Sequence, residues 1–112
     1  MIIKTDDYSI DCSNKTLSKL TGTLRLPSPL SYDEPFQSIK DHITAAKDAY
    51  TIDLTELKFL NSSGLTALAR LIMLARKEDT PLVLVGSEGV PWQMKSLNSL
   101  TKLWAKTTVV SG

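Results

Sequence analysis

Residues 50–86 carry two changes of hydrophobic period, and these constrain the architecture more tightly than anything else in the chain. Tyr50 to Leu54, followed by Leu57 to Leu60, has the apolar, β-branched character of a covered strand, with Asp53 interrupting it. From Leu65 the spacing becomes helical. Leu65, Leu68, Ile72 and Ala75 form one stripe, Leu71 and Leu74 widen it, and the basic Arg76 and Lys77 close the last turn. Glu78-Asp79-Thr80-Pro81 then returns the chain to Leu82-Val83-Leu84-Val85-Gly86, a short apolar run with the length of a buried strand. Strand, helix and strand in this order imply a right-handed parallel crossover.

The flanking segments add elements to that unit. Tyr8, Ile10 and Cys12 alternate with polar neighbours, Ser13-Asn14-Lys15 is turn-prone, and Leu20, Gly22, Leu24 and Leu26 share one face of a second strand. An N-terminal hairpin is therefore expected. Pro27-Ser28-Pro29 ends it, and a helix should follow with Asp33 or Ser31 as its cap, Pro35 in its first turn and Phe36, Ile39, Ile43 and Ala46 as its stripe. Beyond Gly86, Pro91 to Ser99 reads as a short helix, Leu100 to Ala105 as a further helical turn or loop, and Thr107 to Val110 as a last strand. The expected fold is a single α/β domain over residues 1–112, a mixed sheet of four or five strands flanked by helices.

Composition narrows the function classes. A chain of 112 residues, 42% apolar and 22% charged, suits one ordinary globular core. Its 13 basic and 12 acidic side chains are spread out, with a net charge of +1, so no concentrated basic surface is offered to nucleic acid or an anionic membrane. A protein partner or a small ligand is expected instead. The single Cys12 cannot form an internal disulfide, and with the single His42 it cannot build a zinc site from soft ligands. The N-terminus carries acids early and has no long apolar run, and no stretch approaches a membrane span of roughly 20 apolar residues. A cytoplasmic protein without membrane insertion is the expectation.

Asn61-Ser62-Ser63-Gly64 stands where the strand pattern gives way to the helical one. A helix opening directly after a strand presents unpaired N–H groups and the positive end of its dipole, so a hydroxyl placed there caps the helix or carries a phosphate. Capping is the commoner use of serine in this position. Gly64 suits a tight turn or close packing.

The stretch from Asp53-Leu54 through Leu57 to Leu65, the helix after it and Pro81 to Val85 resembles the STAS domain, found in anti-sigma factor antagonists and at the ends of sulfate transporters. The element order agrees over essentially the whole chain. Asn61 to Leu65, together with Pro91-Trp92-Gln93-Met94-Lys95-Ser96-Leu97, resembles a group of stand-alone bacterial STAS regulators. The antagonists read Asp-Ser-Ser/Thr-Gly, so the resemblance makes Ser62 the phosphorylated hydroxyl and Ser63 the helix cap, and it puts Asn61 where they have Asp. Asparagine keeps the hydrogen bonding and loses the charge that orients a kinase's attack.

The resemblance further implies a non-enzymatic partner switch in signal transduction. Its partner would be a GHKL-type serine kinase that is also the anti-sigma factor, bound by the dephosphorylated form, with a phosphatase resetting the site. The kinase would hold ATP and magnesium, so no cofactor, metal or catalytic residue is expected in this chain. Two further readings stand beside it. One is a constitutive subunit of a larger assembly, such as a phospholipid-transport ABC complex. The other is a small-ligand or nucleotide sensor using the helix start at Ser62 to Gly64 as an anion site.

Other residue types point to structure. Asp53 is expected to cap a neighbouring loop rather than meet a kinase. His42 reads as solvated or half-buried, and nothing positions it for a Ser-His-Asp triad. Trp104, Tyr32 and Tyr50 read as core or core-edge aromatics. Trp92 is the aromatic best placed for exposure on the same rim as Ser62. With Asn61, Ser62, Ser63 and Gly64 it completes the expected partner surface.

Overall fold

The computed structural model describes all 112 residues. One sheet holds six strands in chain order: β1 (Ile2–Lys4), β2 (Tyr8–Asn14), β3 (Leu17–Leu24), β4 (Tyr50–Leu60), β5 (Leu82–Gly86) and β6 (Thr107–Ser111). The pairs β1–β2 and β2–β3 are antiparallel, whereas β3–β4, β4–β5 and β5–β6 are parallel. Three helices, α1 (Gln37–Ala45), α2 (Ser62–Lys77) and α3 (Gln93–Leu100), bury their stripes in a single apolar cluster with the strands. The mixed α/β architecture and the β4–α2–β5 crossover agree with the sequence pattern. No helix is long and apolar enough to cross a membrane.

Four details differ from expectation, each for a physical reason. The sheet has six strands rather than four or five. The additional one, β1, has only three residues and no readable alternation, and is made by pairing with β2. β3 ends at Leu24, leaving Leu26 outside it. The backbone bends at Gly22, whose φ of +93° suits glycine and whose Cβ, if present, would lie 2.3 Å from the Asp7 carbonyl oxygen.

Tyr50–Leu54 and Leu57–Leu60 are one continuous strand. The register against β3 slips by one residue between Asp53 and Glu56 and again between Leu57 and Phe59. Each bulge turns the side-chain phase, so Tyr50, Ile52, Leu54, Leu57 and Leu60 are all buried at spacings of two, two, three and three. Asp53 serves the first bulge from within the strand, its Oδ1 accepting from Thr55 N (2.9 Å) and Thr55 Oγ1 (2.7 Å), and caps no neighbouring loop.

The helix after β3 is also built differently. Ser28 caps a 3-10 turn over Pro29–Tyr32 by accepting from Ser31 N. α1 begins only at Gln37, after Pro35, with no side-chain cap. Neither Ser31 nor Asp33 caps α1, and Asp33 pairs with Lys40 at 3.0 Å. The extra 3-10 turn carries Tyr32, which is fully buried, to the start of α2.

Candidate functional site

β4 ends at Leu60 and α2 starts at Ser62, so one residue makes the whole strand-to-helix junction. Asn61 is that residue and the helix cap, with an extended backbone (φ −75°, ψ 175°). Its Oδ1 accepts from Gly64 N (2.8 Å) and from the Tyr32 hydroxyl (2.7 Å), while its Nδ2 donates to the Leu26 carbonyl (2.9 Å). Its backbone N–H donates to Leu24 O at 3.1 Å, tying the junction to the end of β3. Burial raises the Tyr32 pKa above the ordinary phenol value.

This geometry corrects the assignment of the cap to Ser63. Ser62 and Ser63 are the first and second residues inside the helix, and no intramolecular hydrogen bond engages either hydroxyl. The network also explains why asparagine stands at position 61. The Leu26 carbonyl needs a donor, which an ionised carboxylate cannot supply. Asn61→Asp is therefore expected to destabilise the fold by about 1–3 kcal/mol at neutral pH. A lowered urea midpoint with an unchanged slope checks it.

Of the four junction residues, Ser62 alone is exposed. Ser63 is half-buried, Asn61 spends its side chain inside the fold, and Gly64 is buried against Leu60 and Tyr32. No acidic residue occupies the first turn of α2. Three residues before Ser62, Phe59 is 44% exposed, with the Arg25 guanidinium 5.9 Å from its ring centroid. Leu30 on the 3-10 turn is 67% exposed. The sequence reading missed Phe59 and Leu30. Phe59 follows a buried Leu57 by two residues, which in an unbulged strand would have placed it inside.

Trp92 is less free than expected. It is half-buried against the core, and its indole N–H donates to the Lys58 carbonyl at 3.1 Å. β5 accompanies β4 only over Tyr50–Asp53, so the later carbonyls of β4 lack a strand partner on that side. The Trp92-Gln93 pair takes the place of that strand. Gln93, fully buried, donates from Nε2 to Leu54 O and Leu57 O, and its Oε1 accepts from Ser87 N. Gln93 was not singled out as a structural residue, because its partners lie 36 and 39 positions away.

The remaining reactive groups are elsewhere. His42 is half-buried beside Tyr50 at the opposite end of β4 from Ser62, its Nδ1 3.5 Å from the Tyr50 hydroxyl. Burial pushes the Tyr50 pKa up to about 12 and raises that of the buried Cys12 thiol.

Comparison with known proteins adds family and fold. A family model described as the STAS domain matches residues 14–106. No curated protein matches the chain significantly. Among solved structures, a chain in the crystal structure of diguanylate cyclase SiaD in complex with its activator SiaC from Pseudomonas aeruginosa has a TM-score of 0.74 at 11% identity, covering 100% of this chain and 99% of that one. SiaC of Pseudomonas aeruginosa gives 0.69 at 16% identity, covering 100% and 98%. At these identities the likeness is one of fold.

Proposed function

The chain belongs to the STAS-domain family, and from that premise we propose that it is a non-enzymatic regulatory domain whose protein partner docks around Ser62 and is released when Ser62 is phosphorylated. The observation that carries this reading is the exposed Ser62 hydroxyl at the first residue of α2, relieved of capping duty by Asn61. A phosphate there would add about −1.5 to −2 charges. The positive helix end tolerates that charge, and no first-turn acid opposes it. The fold would survive modification while the surface met by a partner gained negative charge. Burying such a charge in an interface fitted to a neutral serine costs several kcal/mol unless a cation matches it.

The family resemblance supplies the partner class, a GHKL-type serine kinase acting as anti-sigma factor, with a phosphatase restoring the hydroxyl. The fold's occurrence in a complex of an enzyme with its activator agrees with docking on a partner protein. Asn61 fits this role without the family's carboxylate, because its side chain holds the helix start rather than reaching for the kinase.

Intact-mass analysis of protein from its native host should show one phosphoryl adduct mapping to Ser62. Ser62→Asp should weaken partner binding about a hundredfold, roughly 2.7 kcal/mol, while Ser62→Ala leaves it permanently on. Co-purification insensitive to both substitutions would instead fit a constitutive subunit.

A further inference from the structure

The two edges of the sheet are protected unequally. β1 has three residues, includes Lys4 and is followed by Asp6 and Asp7, so shortness and charge blunt it. β6, at the other edge, holds no charge and no proline, pairs with β5 without a bulge and is β-branched at every position but Ser111. Thr108 and Val110 are exposed on it. An edge of this kind is a template for another strand.

The backbone shows which groups such a strand would meet. Leu82 N donates to Lys106 O at 3.0 Å and Gly112 N donates to Gly86 O at 2.8 Å, so alternation along the parallel ladder turns Thr108 and Val110 toward β5 as well. Thr107, Val109 and Ser111 turn their backbone groups outward. Thr107 N is taken by Trp104 O at 3.1 Å, which leaves Thr107 O, Val109 N, Val109 O and Ser111 N along the rim. That set is self-complementary about Val109.

We propose that β6 pairs antiparallel with β6 of a second copy of this chain, about a two-fold axis beside Val109. Val109 N donates to Val109 O of the second copy and Ser111 N to its Thr107 O, each bond repeated by the symmetry. Thr108 then faces Val110 of the second copy, and Lys106, whose charge is matched by Asp79 at 3.0 Å, faces its Gly112, so no like charges oppose each other. The blunted β1 edge stops growth at two copies. A strand pair buries little surface, as in weak interfaces below about 1,200 Å², so the dimer is weak and reversible. Pairing needs nothing of Ser62, which follows β4, with β5 lying between β4 and β6.

Sedimentation equilibrium of the unmodified full chain from ~10 μM to ~1 mM should show a rise in mass toward that of a dimer. Hydrogen exchange over the same range should slow at the Val109 and Ser111 amides and stay unchanged at Val110. Thr108→Lys with Val110→Lys sets lysine against lysine at two exposed positions and should weaken the dimer about tenfold. Thr108→Lys with Val110→Glu should restore it, because antiparallel pairing then sets each lysine against a glutamate. A mass that stays monomeric would overturn the proposal, leaving the edge to a strand from a different protein. A dimer without slowing at Val109 and Ser111, or a lysine–glutamate variant no tighter than the lysine–lysine one, would overturn it too.

Discussion

Gly64→Val should cost the domain roughly 3 kcal/mol or more, although the site is helical and solvent lies only two residues away. A Cβ at position 64 would lie 2.2 Å from Leu60 Cδ1, 2.8 Å from Leu60 Cγ and 2.8 Å from the Tyr32 hydroxyl oxygen. Neither neighbour has room to retreat, since Leu60 is 6% exposed and Tyr32 0%. Overpacking of this kind costs about 1–3 kcal/mol for a small insertion, and valine adds two methyls beyond the Cβ. Displacing Tyr32 would also break its bond to Asn61, worth about 1 kcal/mol.

Gly64→Ala is the informative companion. Alanine gains about 1 kcal/mol of helix propensity over glycine, so its net loss should be smaller. Urea unfolding should rank the native chain above the alanine variant and that above the valine variant. An alanine variant more stable than the native chain would show that the Leu60 side chain yields.

That glycine illustrates what was legible in the sequence and what was not. Its type announced close packing, but the partners that require it, Leu60 and Tyr32, belong to a strand end and a turn that only the fold brings together. The crossover from β4 through α2 to β5 was readable because α2 is long and strongly periodic and β5 is a clean apolar run. Which side chains of β4 face inward was not readable, because two bulges break the period-2 alternation from which strand faces are read.

The cap failed for a different reason. Asparagine and serine are nearly equal helix caps in isolation, so local preference could not choose among Asn61, Ser62 and Ser63. The choice is tertiary, made by the Tyr32 hydroxyl, 29 residues earlier, and the Leu26 carbonyl, 35 residues earlier. The consequence favours the site. With Asn61 capping, the Ser62 hydroxyl is left exposed and unoccupied, where a serine cap would have turned inward.

Gln93→Met should be the most damaging single side-chain change of similar size in the chain. Gln93 is fully buried and uses both amide protons and its oxygen, donating to Leu54 O (2.5 Å) and Leu57 O (2.8 Å) and accepting from Ser87 N (2.7 Å). Methionine keeps the length and fills the space but leaves two carbonyls and one N–H without partners. Each orphaned group costs about 1–3 kcal/mol, so a loss of at least roughly 3 kcal/mol is expected, a large share of a stability of about 5–15 kcal/mol.

Gln93→Glu separates the donors from the acceptor. Its carboxylate still accepts from Ser87 N, but when ionised it faces the Leu54 and Leu57 carbonyls with no proton to offer. The folded state then favours the protonated acid, raising its pKa above the unfolded value of about 4.3. Between those two values the folded chain binds more protons than the unfolded one, so stability is retained below about pH 4.3 and lost as pH rises through the folded pKa. Urea unfolding, each variant referred to the native chain at the same pH, should show a deficit nearly independent of pH for methionine and one growing from pH ~4 to pH ~7 for glutamate. A methionine variant as stable as the native chain would mean that water or a shifted strand satisfies the β4 carbonyls. The second half of β4, and with it the placement of Asn61 and Ser62, would then not depend on this buried amide.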